Sequence, residues 1–215
     1  MSSIYINNKN LKKLENIPEI INGSFDGSFN KLISLKGGPK FVKKDYNCFS
    51  NRLTSLEGSP ARIDGDFDCR YNRLKSLKGG PKEVGADFYC DNNELTSLEG
   101  SPETVGRHFT CSDNKLINLK GAPKTINGNF RCYSNELTDL KGSPKNIYGC
   151  FFCMNNKLIT LKGGPKRIGG ESSCYFSCYI NKLTSLIYSA KNPYNINYKK
   201  NHLLTMDYVP SNRKI

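Results

Sequence analysis

The chain has 215 residues and a formal net charge of +13, from 32 Lys and Arg against 19 Asp and Glu. Its 11 Phe and 12 Tyr make it too aromatic for a disordered chain. No apolar run approaches the roughly 20 residues of a membrane span, and the segment 1–9 lacks the hydrophobic core of a secretory signal peptide. We therefore expect a basic protein of one domain or a small pair, without a membrane span and without conventional secretion.

A repeat of 21 residues runs through the chain. Eight of the ten prolines, from Pro18 to Pro165, lie 21 residues apart, and seven cysteines from Cys48 to Cys174 keep the same spacing. Self-similarity at a short fixed period is the signature of a solenoid, in which each unit contacts only its neighbours. The predicted elements follow from this period.

Residues 1–29 are predicted to form a degenerate capping rung. Leu11, Leu14, Pro18 and Ile21 keep the register of the following unit, but no Cys precedes Cys48. An array of repeats needs such an end unit, because its first coil would otherwise expose the core.

Residues 30–186 are predicted to form the repeats themselves. Twenty-one residues are too few for two helices but enough for one short strand and an extended return. The strand is expected at Phe-x-Cys, as in Phe67-Asp68-Cys69, because alternate residues of a strand point to one face. Phe, Cys, two Leu and a Val or Ile then fill each coil. The Asn after each strand bonds the turn backbone, and Gly-x-Pro excludes a helix on the return.

Residues 187–215 lose the pattern and are rich in Tyr, Asn and Lys. We predict that they form a C-terminal cap and tail. The unit before them, which begins at Asn156, is longer than the others and carries both Cys174 and Cys178.

The repeat resembles known families. Phe88-x-Cys90-x-x-Asn93-x-Leu95 resembles the leucine-rich repeat, with Phe and Cys in place of two leucines. The run Asn-x-Leu-Thr-Ser-Leu-Glu-Gly-Ser-Pro, at Asn51 and Asn93, is similar to repeats of type III secreted bacterial effectors, and closer still to Cys-containing repeats of phage and large DNA virus proteins. The resemblance implies a leucine-rich-repeat solenoid with short parallel strands on its concave face, an extended convex side and little helix. It also implies a binding scaffold.

The cysteines are expected to be small, buried, reduced thiols of the inward ladder. Side chains of parallel strands in register point the same way, whereas a disulfide needs Cβ atoms turned toward each other. Cys150 and Cys153 lie three residues apart on one strand, so their sulfurs face opposite sides and we expect no metal site. Reduced thiols favour a reducing compartment.

Two columns of lysine follow the turns and the convex side. They suggest attraction to nucleic acid or another polyanion. A solvated exterior with alternating charges is favoured instead, because acidic residues interrupt both columns and because readers of nucleic acid use Arg with interleaved aromatic residues. The columns are Lys36, Lys78, Lys120, Lys141 and Lys162, and Lys40, Lys82, Lys124, Lys145 and Lys166.

The candidate binding site is the concave face, where the residues that flank Phe and Cys are free to vary. Its first half is acidic, and adjacent carboxylates repel one another unless a cationic partner or ion lies nearby. Its second half offers Arg, Tyr, Phe and Met, which are frequent interface anchors. The alternatives are hydrated carboxylates beside aromatic residues that cover one another, and a Ca²⁺-type site. The predicted protein-binding residues are Asp66, Asp68, Asp87, Tyr89, Asp91, His108, Arg131, Tyr133, Phe152 and Met154.

Catalysis finds little support in the sequence. His108 and Cys150 share one column, in which we expect Cys150 to be exposed, but Asn129 lies between them. Two rungs correspond to about 10 Å, whereas a nucleophile and its base need about 3 Å. We therefore expect no catalytic residue, metal or cofactor.

The sequence thus predicts a non-enzymatic scaffold for protein–protein interaction. The resemblance to viral repeats implies a phage or large-virus product, either a virion component that contacts capsid or tail proteins or a binder of host proteins, located in the host cytoplasm or the virion. The alternatives are a secreted bacterial effector that binds a host protein, and a surface protein that binds polyanions through its lysine columns. Nucleic acid is not the favoured partner.

Overall fold

The computed structural model describes residues 2–169 and 176–184, together with the backbone of residues 196–197. The described residues form short strands and no helix, so they contain no helix able to cross a membrane. In chain order, the strands are β1 (Ile4–Tyr5), β2 (Ile20–Ile21), β3 (Phe25–Asp26), β4 (Phe41–Val42), β5 (Tyr46–Asn47), β6 (Arg62–Ile63), β7 (Phe67–Asp68), β8 (Glu83–Val84), β9 (Phe88–Tyr89), β10 (Thr104–Val105), β11 (Phe109–Thr110), β12 (Thr125–Ile126), β13 (Phe130–Arg131), β14 (Asn146–Ile147), β15 (Phe151–Phe152), β16 (Arg167–Ile168), β17 (Phe176–Ser177) and β18 (Ile196–Asn197).

The main sheet confirms the predicted solenoid. Its ten strands run in the order β1-β3-β5-β7-β9-β11-β13-β15-β17-β18, and every neighbouring pair is parallel. Phe67 pairs with Phe88, and Phe88 with Phe109, so the 21-residue period of the sequence is the register of the sheet. The strands begin at the Phe of Phe-x-Cys, as predicted. We call the surface formed by their outward residues the concave face.

A second parallel ladder follows the return segment, for which the sequence predicted extended chain and turns. It consists of a five-stranded sheet, β10-β8-β6-β4-β2, and a three-stranded sheet, β12-β14-β16. Ile63 pairs with Val84, and the N–H of Gly85 donates to the carbonyl of Ile63 at 2.9 Å. Extended segments stacked in register present their N–H and C=O groups to one another, which explains this second ladder.

The core consists of stacked columns of the same residue type. The aromatic column is fully buried from Phe25 to Phe151, and neighbouring ring centroids lie 4.8 to 5.7 Å apart. Two leucine columns and the cysteine column complete each coil. Burial raises the pKa of the column's thiols, and Cys48, Cys69, Cys90, Cys111, Cys132 and Cys153 are free thiols with no exposed surface.

An asparagine ladder satisfies the turn that follows each strand, as predicted. The side-chain amide of Asn93 donates to the carbonyls of Cys69 and Cys90 at 3.1 and 3.2 Å, and its Oδ1 accepts the N–H of Leu74 at 3.0 Å. The same bonds recur in neighbouring rungs through Asn72. Because each asparagine bonds its own rung and the one before it, the ladder fixes the rungs to each other.

The first and last strands of the main sheet belong to the segments predicted as caps. At the N-terminal end, β1 pairs with β3, and Leu14 and Ile21 are buried in the core while Leu11 is partly buried against it. The capping role of residues 1–29 stays a prediction. The predicted C-terminal cap, 187–215, lies outside the described residues except for β18, which pairs with β17.

Candidate functional site

The acidic column of the concave face is a ladder of hydrogen-bond acceptors. The N–H of Asp66 donates to Asp45 Oδ1 at 3.0 Å, that of Asp87 to Asp66 Oδ1 at 2.8 Å, and that of His108 to Asp87 Oδ1 at 2.8 Å. Burial opposes ionisation of Asp87, but the hydrogen bonds from the His108 N–H and the Tyr89 hydroxyl hold its pKa below the ordinary value. These hydrogen bonds, with Arg107 Nε 3.8 Å from the Asp87 carboxylate, offset the repulsion at Asp87, whereas burial and the neighbouring carboxylates of Asp87 and Asp45 raise the pKa of Asp66.

The same ladder continues beyond the carboxylates. His108 Nδ1 accepts the N–H of Asn129 at 2.8 Å, and Asn129 Oδ1 accepts the N–H of Cys150 at 2.8 Å. Cys150 is only 9% exposed, so the prediction from the sequence that its thiol is exposed is wrong. Its short side chain, held close to the rung by this bond, stays below the surface.

Asp91 supports the face from beneath. It is 9% exposed, and burial raises its pKa. Its carboxylate accepts the N–H of Ser112 at 2.8 Å and the hydroxyl of Thr110. These bonds give Asp91 a structural position, as the bonds from His108 and Tyr89 do for Asp87, which is 4% exposed.

Arg70 organises the middle of the concave face. Its Nε lies 3.0 and 3.1 Å from the two carboxylate oxygens of Asp68, and one terminal nitrogen lies 2.6 Å from Oδ2. Its guanidinium carbon also lies 4.8 Å from the ring centroid of Tyr89, and the Tyr89 hydroxyl donates to Asp87 at 2.7 Å. A forked ion pair and a cation–π contact hold both side chains in one arrangement.

A pocket opens beside Arg70 toward the C-terminal half. It has a volume of about 400 Å³, and Arg131 reaches its wall with the guanidinium carbon 5.4 Å from the ring centroid of Phe152. Within the described residues, the Arg131 guanidinium makes no hydrogen bond or ion pair, so its donors remain available to a ligand. The lining residues are Arg70, Tyr71, Tyr89, Asp91, Asn92, Thr110, Asp113, Arg131 and Tyr133. Met154 lies half-buried in the rung after Tyr133.

Two exposed aromatic residues were missed by the sequence argument. Phe29 and Tyr71 are 55% and 53% exposed, and both contact Phe49 edge to face. They lie one position beyond the columns that flank Phe and Cys. In the sequence, these two residues could have been recognised as aromatic residues at a position that most rungs fill with Asn, Asp or Ser.

The sequence predicted alternating charges along the lysine columns. The structure shows them in the N-terminal and middle rungs. Lys36 lies 3.1 Å from Glu57, and Lys120 lies 3.0 Å from Glu99, with all four side chains well exposed. Such pairs contribute little to stability. Across residues 2–169 and 176–184, no group of three or more His, Cys, Asp or Glu side chains is placed to hold a metal ion.

No family model and no curated protein matches the chain. Solved structures do match, among them two of YopM. YopM from Yersinia enterocolitica matches with a TM-score of 0.63 and 21% identity over 94% of this chain and 47% of that one, so the chain spans about half its length. YopM from Yersinia pestis, described as a leucine-rich effector protein, matches with 16% identity and a TM-score of 0.34 over 94% of this chain and 75% of that one, a score too low to indicate a shared fold. Neither structure is viral, so they give the phage and virus resemblance no support. The first shows that this chain has the leucine-rich-repeat solenoid fold of YopM.

Proposed function

We propose that the protein is a non-enzymatic scaffold that binds another protein through its concave face. The observation that carries the proposal is the Arg131 side chain, whose donors are unused beside a pocket lined by Tyr89 and Tyr133. Arginine and tyrosine around a pocket are typical anchors of protein interfaces. The parallel sheet holds them rigidly, so little conformational entropy is lost on binding.

A bacterial effector that binds a host protein is the more strongly supported of the two proposed origins. A solved structure that shares the fold is the YopM of Yersinia enterocolitica, and the YopM of Yersinia pestis is described as a leucine-rich effector protein. A virion component with capsid or tail partners rests on the repeat resemblance alone. We place the action of the protein in a reducing cytoplasm, because the buried thiol column suits that compartment.

The proposal predicts that the double variant Tyr133→Ala with Phe152→Ala loses its partner. Partners are recovered with the tagged protein from a host-cell lysate at about 50 and 200 mM salt and identified by mass spectrometry, and affinity is then measured by titration. We expect a salt-resistant partner whose dissociation constant rises at least about tenfold in the variant, because anchor residues dominate binding energy.

The matched control is Tyr148→Ala with Ile159→Ala, which removes a similar apolar area from exposed positions outside the concave face. Its affinity should equal that of the unaltered protein. Equal loss in both double variants, or loss in neither, would contradict concave-face binding. Recovery of nucleic acid alone, lost at high salt, would favour the lysine columns instead.

A further inference from the structure

Three aromatic side chains form a continuous row at the edge of the concave face in its N-terminal half. The ring centroids of Phe29 and Phe49 lie 4.9 Å apart and those of Phe49 and Tyr71 lie 5.3 Å apart, both pairs edge to face. We call these three residues the aromatic edge. Because the rings support one another, the aromatic edge is a preformed apolar surface that extends over three rungs.

Folding does not require aromatic residues at these positions. Phe29 and Tyr71 have φ values of 51° and 53°, in the left-handed region that is unfavourable for most side chains but is tolerated by Asn and Asp. Apart from Ile180, the other rungs from residue 50 onward carry a small polar residue at this position. These residues are Ser50, Asn92, Asp113, Ser134 and Asn155. In the free protein, Phe29 and Tyr71 thus combine an unfavourable backbone with exposed apolar surface, and a bound partner would remove the exposure.

A basic column runs beside the aromatic edge, two residues further along each rung. It consists of Lys31, Arg52 and Arg73, and across the described parts of the chain none of their side chains has an acidic partner within 4.0 Å. The same column neutralises itself in later rungs, where Lys115 lies 3.5 Å from Glu94. Three adjacent cations therefore remain available to negative charges from outside.

The charges across this surface favour a polypeptide over a nucleic acid. The aromatic edge separates the basic column from the acidic ladder at Asp45 and Asp66. A nucleic acid is anionic along its whole length, so it would be attracted to one side of the aromatic edge and repelled by the other. A polypeptide can place apolar groups on the aromatic edge and carboxylates on the basic column alone.

We infer that the aromatic edge and the basic column together dock an amphipathic helix of a partner protein that carries an apolar stripe beside an acidic stripe. The inference rests on the proposed function and adds the chemistry of the partner. Successive rungs stack about 4.8 Å apart, close to the helical pitch of about 5.4 Å. One carboxylate in each helical turn therefore faces one residue of the basic column, and the apolar stripe covers the rings.

Titration with designed peptides tests this surface. The probe is a labelled helical peptide of about 18 residues, with Leu and Phe along one stripe and Glu along the adjacent stripe, added to the full 215-residue protein and followed by fluorescence anisotropy. Its comparison carries Lys in place of Glu, and a single-stranded oligothymidine tests nucleic acid. We expect the acidic peptide to bind at least about tenfold more tightly than the basic one, with an affinity that falls as salt rises.

The variant Phe29→Asn with Tyr71→Asn separates docking from folding. Asparagine suits the left-handed backbone, so the melting temperature should stay the same or rise while the affinity for the acidic peptide falls at least about tenfold. Arg52→Glu with Arg73→Glu should weaken binding similarly. Lys162→Glu, a change of one exposed lysine on the convex side, should leave the affinity unaltered.

Three outcomes would overturn the inference: equal affinity for both peptides, unchanged affinity in the asparagine variant, or tighter binding of the oligothymidine. The affinity of the variants for the natural partner, recovered with the tagged protein, distinguishes this inference from the proposed function. If its binding depends on Tyr133 and Phe152 but not on Phe29 and Tyr71, the inference of a helix-docking surface is wrong, and the proposal of concave-face binding stands. If neither pair matters, both are wrong.

Discussion

Replacing Asn93 by alanine should lower the free energy of unfolding by about 4 kcal/mol, since several buried polar groups lose their partners at once. Asn93 donates to the carbonyls of Cys69, Cys90 and Asp91 at 3.1 to 3.2 Å and accepts the N–H of Leu74 at 3.0 Å. Alanine can make none of these bonds, and the site is closed to bulk water because Asn93 is only 8% exposed. Urea unfolding followed by circular dichroism measures the change.

The control for this prediction is Asn127→Ala. Asn127 is exposed at the other side of the coil, so its replacement should change stability by no more than about 0.5 kcal/mol. A loss below about 1 kcal/mol for Asn93→Ala would mean that water or a backbone shift satisfies the freed groups. The asparagine ladder would then not be what couples the rungs.

Stability should fall steeply as the pH rises above about 9. Burial raises the pKa of seven thiols, that of Cys178 to about 12 and that of Cys132 further, while an unfolded chain ionises its thiols near pH 8.5. Above that pH the native state binds more protons than the unfolded state, so the thiols' stabilising contribution is complete below about pH 8.5 and is lost as the pH rises. Each thiol accounts for about 1.4 kcal/mol per pH unit, and seven for about 10.

This slope is measurable as the urea midpoint between pH 7 and 10.5 in the presence of a reducing agent. The triple variant Cys69→Ala, Cys90→Ala and Cys111→Ala should be less stable at pH 7, because it leaves cavities, but its loss of stability per pH unit should be smaller by about three sevenths. A midpoint that does not change between pH 8.5 and 10 would show that the thiols ionise in the native state. The inference that the cysteine column is closed to solvent in the native state would then be wrong.

The period and the residue types of the repeat were sufficient to predict the main architecture. A parallel sheet stacks residues with the same position in every repeat, so the spacing of Phe, Cys, Leu and Asn predicts the buried columns and the asparagine ladder without three-dimensional information. The second ladder, by contrast, was missed, because a segment such as Arg62–Ile63 has no alternation of its own. Its pairing arises only when identical segments are brought into register.

The candidate site could be predicted only in outline. The sequence predicted that Arg131 and Tyr133 lie on the concave face, because side-chain direction along a strand follows from position, and both line one pocket there. The sequence predicted repulsion between Asp66 and Asp87 that a cationic partner or ion would relieve, but not that each accepts a backbone N–H of the next rung. That distinction depends on the stacking distance between rungs, which the linear sequence does not contain.

The sequence alone thus determined the solenoid, its register, its buried columns and the face that carries variable residues, since all four follow from a period of 21. The tertiary structure decided which outward residues are committed to internal bonds and which remain available. It showed Asp87 and Asp91 bonded within the fold, and Phe29 and Tyr71 joined through Phe49 into one exposed surface. These contacts join residues about one repeat apart, so they exist only once the rungs are stacked.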